Sequence, residues 1–91
     1  MRDPDAPPVS LVYLARLREA FGQAAERVEI PPEVTSVSAL RDWLAQRGGV
    51  WAAELAPGRA VRIAVNHALA RPDTPVRAGD EVALFPPVTG G

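Results

Sequence analysis

The sequence contains no cysteine and no lysine, and histidine occurs once, as His67. Without cysteine, the chain cannot form disulfide bonds, thiolate metal sites or a nucleophilic thiol. One histidine leaves very little for a zinc site or for a histidine-based catalytic triad. We expect His67 to lie in a solvated turn beside Asn66 rather than to act as a ligand or base.

A strong charge bias and long apolar runs are also missing. The ten basic residues are all arginine, eleven acids offset them, and the net charge is −1. This balance leaves no basic patch for nucleic acid or for an anionic membrane. No segment approaches the length of a transmembrane helix or has the pattern of a signal peptide, which makes the cytoplasm the default compartment. With 91 residues and 47% hydrophobic composition, the chain suits one small domain with a modest core.

The first half of the chain predicts strand, short helix and strand. Residues 9–15 are rich in β-branched and aromatic side chains, with apolar residues on both faces, which is typical of a central strand or of a strand whose second face meets a partner. Residues 16–21 favour a short helix that ends at Gly22. Residues 24–30 alternate as a half-exposed strand, and two prolines follow that cannot donate to a sheet ladder.

The clearest predicted helix spans residues 37–47, with Ser36 as its N-cap and a glycine pair at its end. Its apolar stripe has helical spacing and consists of Val37, Leu40, Trp43 and Leu44. A helical turn at 51–55, strands at 61–65 and 81–85, and a brief strand near Leu69 complete the pattern. The order predicts an α+β fold, in which a small mixed sheet packs on one main helix.

The segment 85–91, FPPVTGG, does not resemble ordinary folding sequence. Pro86 and Pro87 restrict the backbone to extended conformations, and side-chain size then falls from Thr89 to two glycines. This extended C-terminal tail has the shape of a tapering rod that fits a narrow channel in another protein. A frayed chain end is the plainer alternative.

Four segments carry a resemblance to a known family: GDEVALFPPVTGG at 79–91, LARLREAFG at 14–22, VSALRDWLAQRG at 37–48 and AVNHALA at 64–70. They are similar to the small, sulfur-carrying subunits of molybdopterin synthase, which belong to the ubiquitin-like β-grasp proteins. The resemblance implies a β-grasp domain at 9–85 and a tail at 86–91. A flexible proline-rich leader at 1–8 departs from the family pattern.

The resemblance implies a non-catalytic carrier that binds no cofactor or metal itself. In this family an activating enzyme uses ATP to adenylate the terminal carboxylate, here that of Gly91. A sulfurtransferase donor then supplies sulfur, which converts the acyl-adenylate to a thiocarboxylate. The tail enters the large, catalytic subunit and gives its sulfur to cyclic pyranopterin monophosphate, which forms the dithiolene of molybdopterin.

Residue roles follow from the same resemblance. Gly91 carries the thiocarboxylate, and Gly90 permits close backbone approach. The threaded stem is Pro86, Pro87, Val88 and Thr89. The expected partner contacts are Phe85 (on the strand face opposite Val82 and Leu84), Leu14, Leu69 and Arg18. Core packing of the two leucines and an ordinary surface role for the arginine are the alternatives.

Three other functions stay open at this point. A carrier for thiamine synthesis or for tRNA thiolation would share the fold and the glycine pair. A ubiquitin-like modifier would join Gly91 to a lysine of another protein. A passive binding module would leave Gly91 chemically unchanged.

Overall fold

The computed structural model describes residues 7–87. Residues 1–6 of the predicted leader and 88–91 of the predicted tail lie outside this range. The strands are β1 (Val9–Tyr13), β2 (Ala25–Val28), β3 (Arg62–Val65), β4 (Ala68–Leu69) and β5 (Glu81–Phe85), and the helices are α1 (Ala15–Phe21), α2 (Val37–Ala45) and α3 (Gly49–Glu54).

The five strands form one mixed sheet in the order β2-β1-β5-β3-β4. β1 and β5 pair in parallel at its centre, whereas β2, β3 and β4 join through antiparallel pairs. The predicted α+β class, the mixed sheet and the central place of the first strand are therefore confirmed. β1 has a neighbouring strand on each side, and Val12 on its second face is only half-buried.

One face of the sheet packs against the helices. Leu11 on β1 and its partner Val82 on β5 are both fully buried, as are Tyr13 and its partner Leu84. The core cluster also contains Leu17 of α1, Ile63 of β3, and Val37, Leu40 and Leu44 of α2. Burying each of these aliphatic side chains contributes roughly 1.5–3 kcal/mol. The helical stripe predicted from sequence therefore lies on the sheet, with Trp43 at its half-buried margin.

The first strand is shorter than predicted. It ends at Tyr13, and Leu14 keeps extended backbone (φ −120°, ψ 154°) as the N-cap of α1. Ala15, the last residue of the predicted strand, is exposed and begins the helix with φ 53°. The change from strand to helix occurs within one residue. It forces Ala15 into the left-handed conformation, which costs about 1 kcal/mol.

The helices also differ from the sequence prediction in their bounds. α2 ends at Ala45 rather than at residue 47, and α3 begins at Gly49 rather than at residue 51. Gly48, with φ 79°, turns the chain between them. The glycine pair therefore separates two helices instead of simply ending one, and the left-handed backbone explains why glycine stands there.

The N-terminus of α2 is joined to the loop that precedes β5. The Ser36 side chain accepts a hydrogen bond from the Ala39 amide at 3.2 Å, which confirms the predicted N-cap. The Val37 amide donates to Thr74 O and the Ser38 amide to Pro72 O, each at 2.9 Å. The free amides of the first helical turn thus find partners in that loop, and the loop is held where it can lead into β5.

Helical spacing places Arg41 on α2 opposite the apolar stripe, a position typical of solvent exposure, but it is half-buried. Its guanidinium donates hydrogen bonds to the carbonyl oxygens of Leu55, Ala56 and Arg59 at 2.9–3.0 Å. These carbonyls lie at the end of α3 and in the turn after it. One side chain therefore fixes the connection that leads into β3.

A cluster of polar and aromatic side chains joins β1 and β2 to the helices. The Tyr13 hydroxyl donates to Glu26 Oε2 at 2.6 Å, and Arg47 donates to both oxygens of the same carboxylate at 2.8 and 3.2 Å. The Trp51 ring stacks on Phe21 with centroids 3.8 Å apart, and the Arg47 guanidinium lies 4.4 Å from the Trp51 centroid. Trp51 also meets Tyr13 edge-to-face, with centroids 5.5 Å apart, and therefore covers the buried tyrosine.

The cluster shifts the ionisation of its members. Burial and the neighbouring carboxylate raise the pKa of Tyr13 well above its ordinary value. Burial alone would raise the pKa of Glu26, but the hydrogen bonds from Arg47 and Tyr13 outweigh it and hold that pKa below 4.5. A carboxylate with a lowered pKa in the folded state stabilises the fold above about pH 4.5, and this contribution is lost as the pH falls through the lowered value.

We expect Glu26→Gln to reduce the free energy of unfolding at pH 7 by about 1–2 kcal/mol, since it weakens charge-assisted hydrogen bonds. At pH 3 the difference from the unmodified protein should be smaller, because below about pH 4.5 the unfolded chain binds a proton at this carboxylate and the stabilisation declines. Urea unfolding at both pH values measures this, with exposed Glu19→Gln as the control. An equal loss at the two pH values would contradict the assignment.

Candidate functional site

The candidate site is the end of β5 and the sheet face around it. β5 lies between β1 and β3, so its backbone is hydrogen-bonded on both sides. At its end, Leu84 O accepts the Leu14 amide at 3.1 Å, and Phe85 faces Arg62 across the ladder to β3. Pro86 and Pro87 follow and are half-buried. The predicted stem therefore begins at a fixed point, in the middle of the end of the sheet where β5 stops.

Strand register defines a second face of the sheet, opposite the helices, which we call the outer face. A row of small or apolar residues crosses it from edge to edge, because each is paired with the next on the neighbouring strand. The row consists of Ala25, Val12, Ala83, Ala64 and Leu69. None of these residues belongs to the buried core cluster or packs against it.

A second row on the outer face lies beside the stem. It contains Leu14, Phe85 and Arg62, since Leu14 continues the alternation of β1 and Phe85 is paired with Arg62. Leu14 is 44% exposed and Leu69 is 66% exposed. Only one other large hydrophobic residue in the described part of the chain, Val50 on α3, is similarly exposed. Exposed apolar side chains gathered on one face are typical of a protein-binding surface.

The structure thus brings three of the predicted contact residues to one face. Phe85 lies opposite Val82 and Leu84, as its position in the strand predicted, and Leu14 and Leu69 are exposed rather than packed in the core. Arg18 lies on α1, is exposed, and has no side-chain partner within residues 7–87, but the register does not assign it to the outer face. Val88, Thr89, Gly90 and Gly91 lie outside the described residues.

The sequence reading missed the rest of this surface. Val12, Ala64, Ala83 and Arg62 belong to it only because the strands pair in this register. Alternation along each strand indicates which residues share a face, but it does not indicate which strands are neighbours. Strand order was therefore the missing information.

We searched the described residues for a metal site, a membrane-spanning helix and a surface groove. Within residues 7–87 no cluster of acids and histidine is arranged to hold a metal ion, and no helix is both long and apolar enough to span a bilayer. The His67 side chain is 83% exposed in a turn, 3.7 Å from Glu81, in agreement with the solvated turn predicted for it. A groove of about 470 Å³ lies between α2 and β3, and its lining includes the exposed Arg62 and Arg71.

The sheet order, the parallel central pair and the main helix define a ubiquitin-like β-grasp protein. The model of the ThiS family matches residues 11–91. The chain belongs to the ThiS family.

Two curated relatives carry the same name, "Molybdopterin synthase sulfur carrier subunit". The protein from Escherichia coli is 40% identical over 83 residues, which cover 91% of this chain and 99% of the relative. The protein from Haemophilus influenzae is 35% identical over the same length and the same shares of the two chains.

Solved structures show the same fold. A putative molybdopterin converting factor subunit 1 from Pyrococcus furiosus has a TM-score of 0.73 and 28% identity, and the match covers 91% of this chain and all of that one. The small archaeal modifier protein 1 of Haloferax volcanii has a TM-score of 0.73 and 27% identity, with 91% and 98% coverage. A complex of subunits 1 and 2 of the molybdopterin-converting factor from Helicobacter pylori matches with a TM-score of 0.60, 24% identity, and 91% and 97% coverage.

The two faces of the sheet should respond differently to substitution. Leu69→Ser on the outer face should change the free energy of unfolding by less than about 0.5 kcal/mol. Leu84→Ala on the buried face should lower it by roughly 2–5 kcal/mol, because it leaves a cavity in the core. Urea unfolding of both variants measures this. A large loss for Leu69→Ser would show that this leucine belongs to the core.

Proposed function

We propose that the chain is the sulfur carrier subunit of molybdopterin synthase and works as a non-catalytic partner of the large, catalytic subunit. Two nearly full-length relatives of that name support this. The observation that carries it is the exposed apolar outer face at the root of the stem, since a carrier must bind the protein that receives its tail. The cytoplasm is the compartment we propose for this reaction.

The chemistry we propose takes place at the carboxylate of Gly91. Attack of this carboxylate on the α-phosphorus of ATP, within the activating enzyme, forms an acyl-adenylate and releases pyrophosphate. A persulfide sulfur from a sulfurtransferase then replaces AMP, and reductive cleavage of its sulfur–sulfur bond by a thiol leaves a thiocarboxylate. This sulfur is transferred to cyclic pyranopterin monophosphate in the large subunit. The family match, which extends to residue 91, supports the assignment of Gly91.

The fold supports this use of the tail by fixing its base. β5 is held by both of its neighbours, so the first residue of the stem has a defined place and direction. Six residues follow Phe85, and a fully extended tail of that length reaches about 20 Å. Such a reach is enough to enter a buried active site while the domain stays outside. The proline pair favours the extended state and lowers the entropy lost on insertion.

The outer face is the surface we propose for the large subunit. Phe85 supplies an aromatic anchor beside the stem, and Leu14 and Leu69 extend the apolar area on either side. Aromatic and aliphatic anchors near the centre of an interface carry most of its binding energy. In the Helicobacter pylori complex of subunits 1 and 2 of the molybdopterin-converting factor, a protein of the same fold is bound to a second subunit.

The decisive measurement is the intact mass of the chain after incubation with its activating enzyme, ATP and a sulfur source. We expect the mass gain of one oxygen replaced by one sulfur, located at Gly91 by fragmentation. A variant with one added residue after Gly91, shown to stay unprocessed, is the control. It should gain no sulfur while its thermal unfolding stays unchanged. An unaltered mass in the unextended chain would contradict the proposal.

Binding to the catalytic subunit tests the proposed surface. Leu69→Glu should raise the dissociation constant roughly 10-fold or more, because it places an unpaired charge in an apolar interface. Val50→Glu is the matched control, since Val50 is equally an exposed aliphatic residue but lies on α3. Calorimetric titration measures both variants. Equal affinities for the two would remove the outer face from the interface.

A protein modifier is the second candidate. The likeness to the small archaeal modifier protein 1, at 27% identity, favours it. Because this chain has no lysine, its carboxyl end would join only amines of other proteins or a chain N-terminus. Isopeptide-linked products in place of the thiocarboxylate, in an incubation that includes candidate target proteins, would favour the modifier. A thiocarboxylate accepted only by thiamine-forming or tRNA-thiolating enzymes would favour those pathways.

A further inference from the structure

Arg62 is the charged residue of the row beside the stem. It is paired across the ladder with Phe85, and it is exposed. Within residues 7–87 its guanidinium has no hydrogen-bond or ion-pair partner. Nothing in the fold therefore requires a cation at this position of β3, where β-branched and aromatic residues are usually preferred.

Several other arginines within residues 7–87 have an acid partner, whereas Arg62 has none. Arg16 and Arg59 both approach the carboxylate of Glu54, at 3.4 and 3.1 Å. The register that pairs Ala64 with Leu69 brings Arg71, and not an acid, opposite Arg62 on the neighbouring chain segment. Arg71 has a partner of its own in Asp73, at 3.7 Å. Arg62 is thus an exposed cation without a counter-ion in the described residues, paired across the ladder with Phe85.

A partner that covers Phe85 must also cover Arg62. Directly opposed residues of an antiparallel pair have their Cβ atoms about 5 Å apart, which is far less than the width of a protein interface. A guanidinium cannot lose its proton in a protein, and a buried charge without a counter-ion is strongly unfavourable. Hence a complex that buries the Arg62 guanidinium on this face needs an acid opposite it.

We propose that Arg62 is a specificity residue, which pairs with a carboxylate on the protein that receives the stem. The proposal rests on the proposed function, because it takes the catalytic subunit as that protein. A carboxylate fits best because its two oxygens accept the parallel N–H groups of a guanidinium. The pair selects this partner by charge, whereas the apolar rows would fit many surfaces.

The test is titration of the unmodified carrier with the catalytic subunit. Arg62→Glu should raise the dissociation constant roughly 100-fold and Arg62→Ala roughly 30-fold, as for removal of one member of a buried pair. Arg62→Lys keeps the charge but loses the paired N–H groups of the guanidinium, so its affinity should lie between that of Arg62→Ala and that of the unmodified chain. The salt dependence of binding should be weaker for Arg62→Ala than for the unmodified chain, since one ion pair is missing.

Arg77→Glu is the matched control. Arg77 is also an exposed arginine whose side chain has no ion-pair partner within residues 7–87, but it lies in the loop before β5, at the opposite end of that strand from Phe85. It should bind within about twofold of the unmodified chain, and urea unfolding should show that all variants fold. Equal affinity of Arg62→Glu and Arg77→Glu would overturn the inference and leave the proposed function intact. Failure of the unmodified carrier to bind or to gain sulfur would instead count against the proposed function.

Discussion

The parallel pairing of β1 with β5 is the interaction on which the rest of the structure depends. It joins the first strand of the domain to the last, so the sheet cannot form until both are present. Parallel strands need a long crossover, and here that connection contains all three helices as well as β2, β3 and β4. The same pairing buries Leu11 against Val82 and Tyr13 against Leu84, which places the largest part of the core beneath it.

The alternation of side chains along the central strands separates folding from binding. On β5, Val82 and Leu84 face the helices, whereas Ala83 and Phe85 face outward. One strand therefore stabilises the domain with one set of residues and offers a surface with the other. The outward-facing residues lie outside the core cluster, which leaves that face free to match a partner.

Much of this architecture could be predicted from the sequence, because its signals were local. The Ser36 cap, the helix end at Gly22 and the apolar stripe of α2 each depend on neighbouring residues, and each agrees with the structure. The sequence predictions failed where a residue's environment depends on contacts with distant parts of the chain. Ala15 reads as part of a strand until the packing of α1 requires a turn there, and Arg41 reads as a solvent residue until its carbonyl partners approach. The outer face needed strand order, which residue patterns alone do not specify.

The direction of the central pair also has a mechanical consequence. Because β1 and β5 run in parallel, the chain enters the domain at one end of the sheet and leaves it at the other. A force that pulls on the stem against the segment before Val9 would act along both strands in opposite senses. All the hydrogen bonds between them would then bear the load together, rather than opening one after another as in an unzipping hairpin. A tail drawn into a narrow channel, or pulled back out of one, is thus attached to the domain by its most shear-resistant pair of strands.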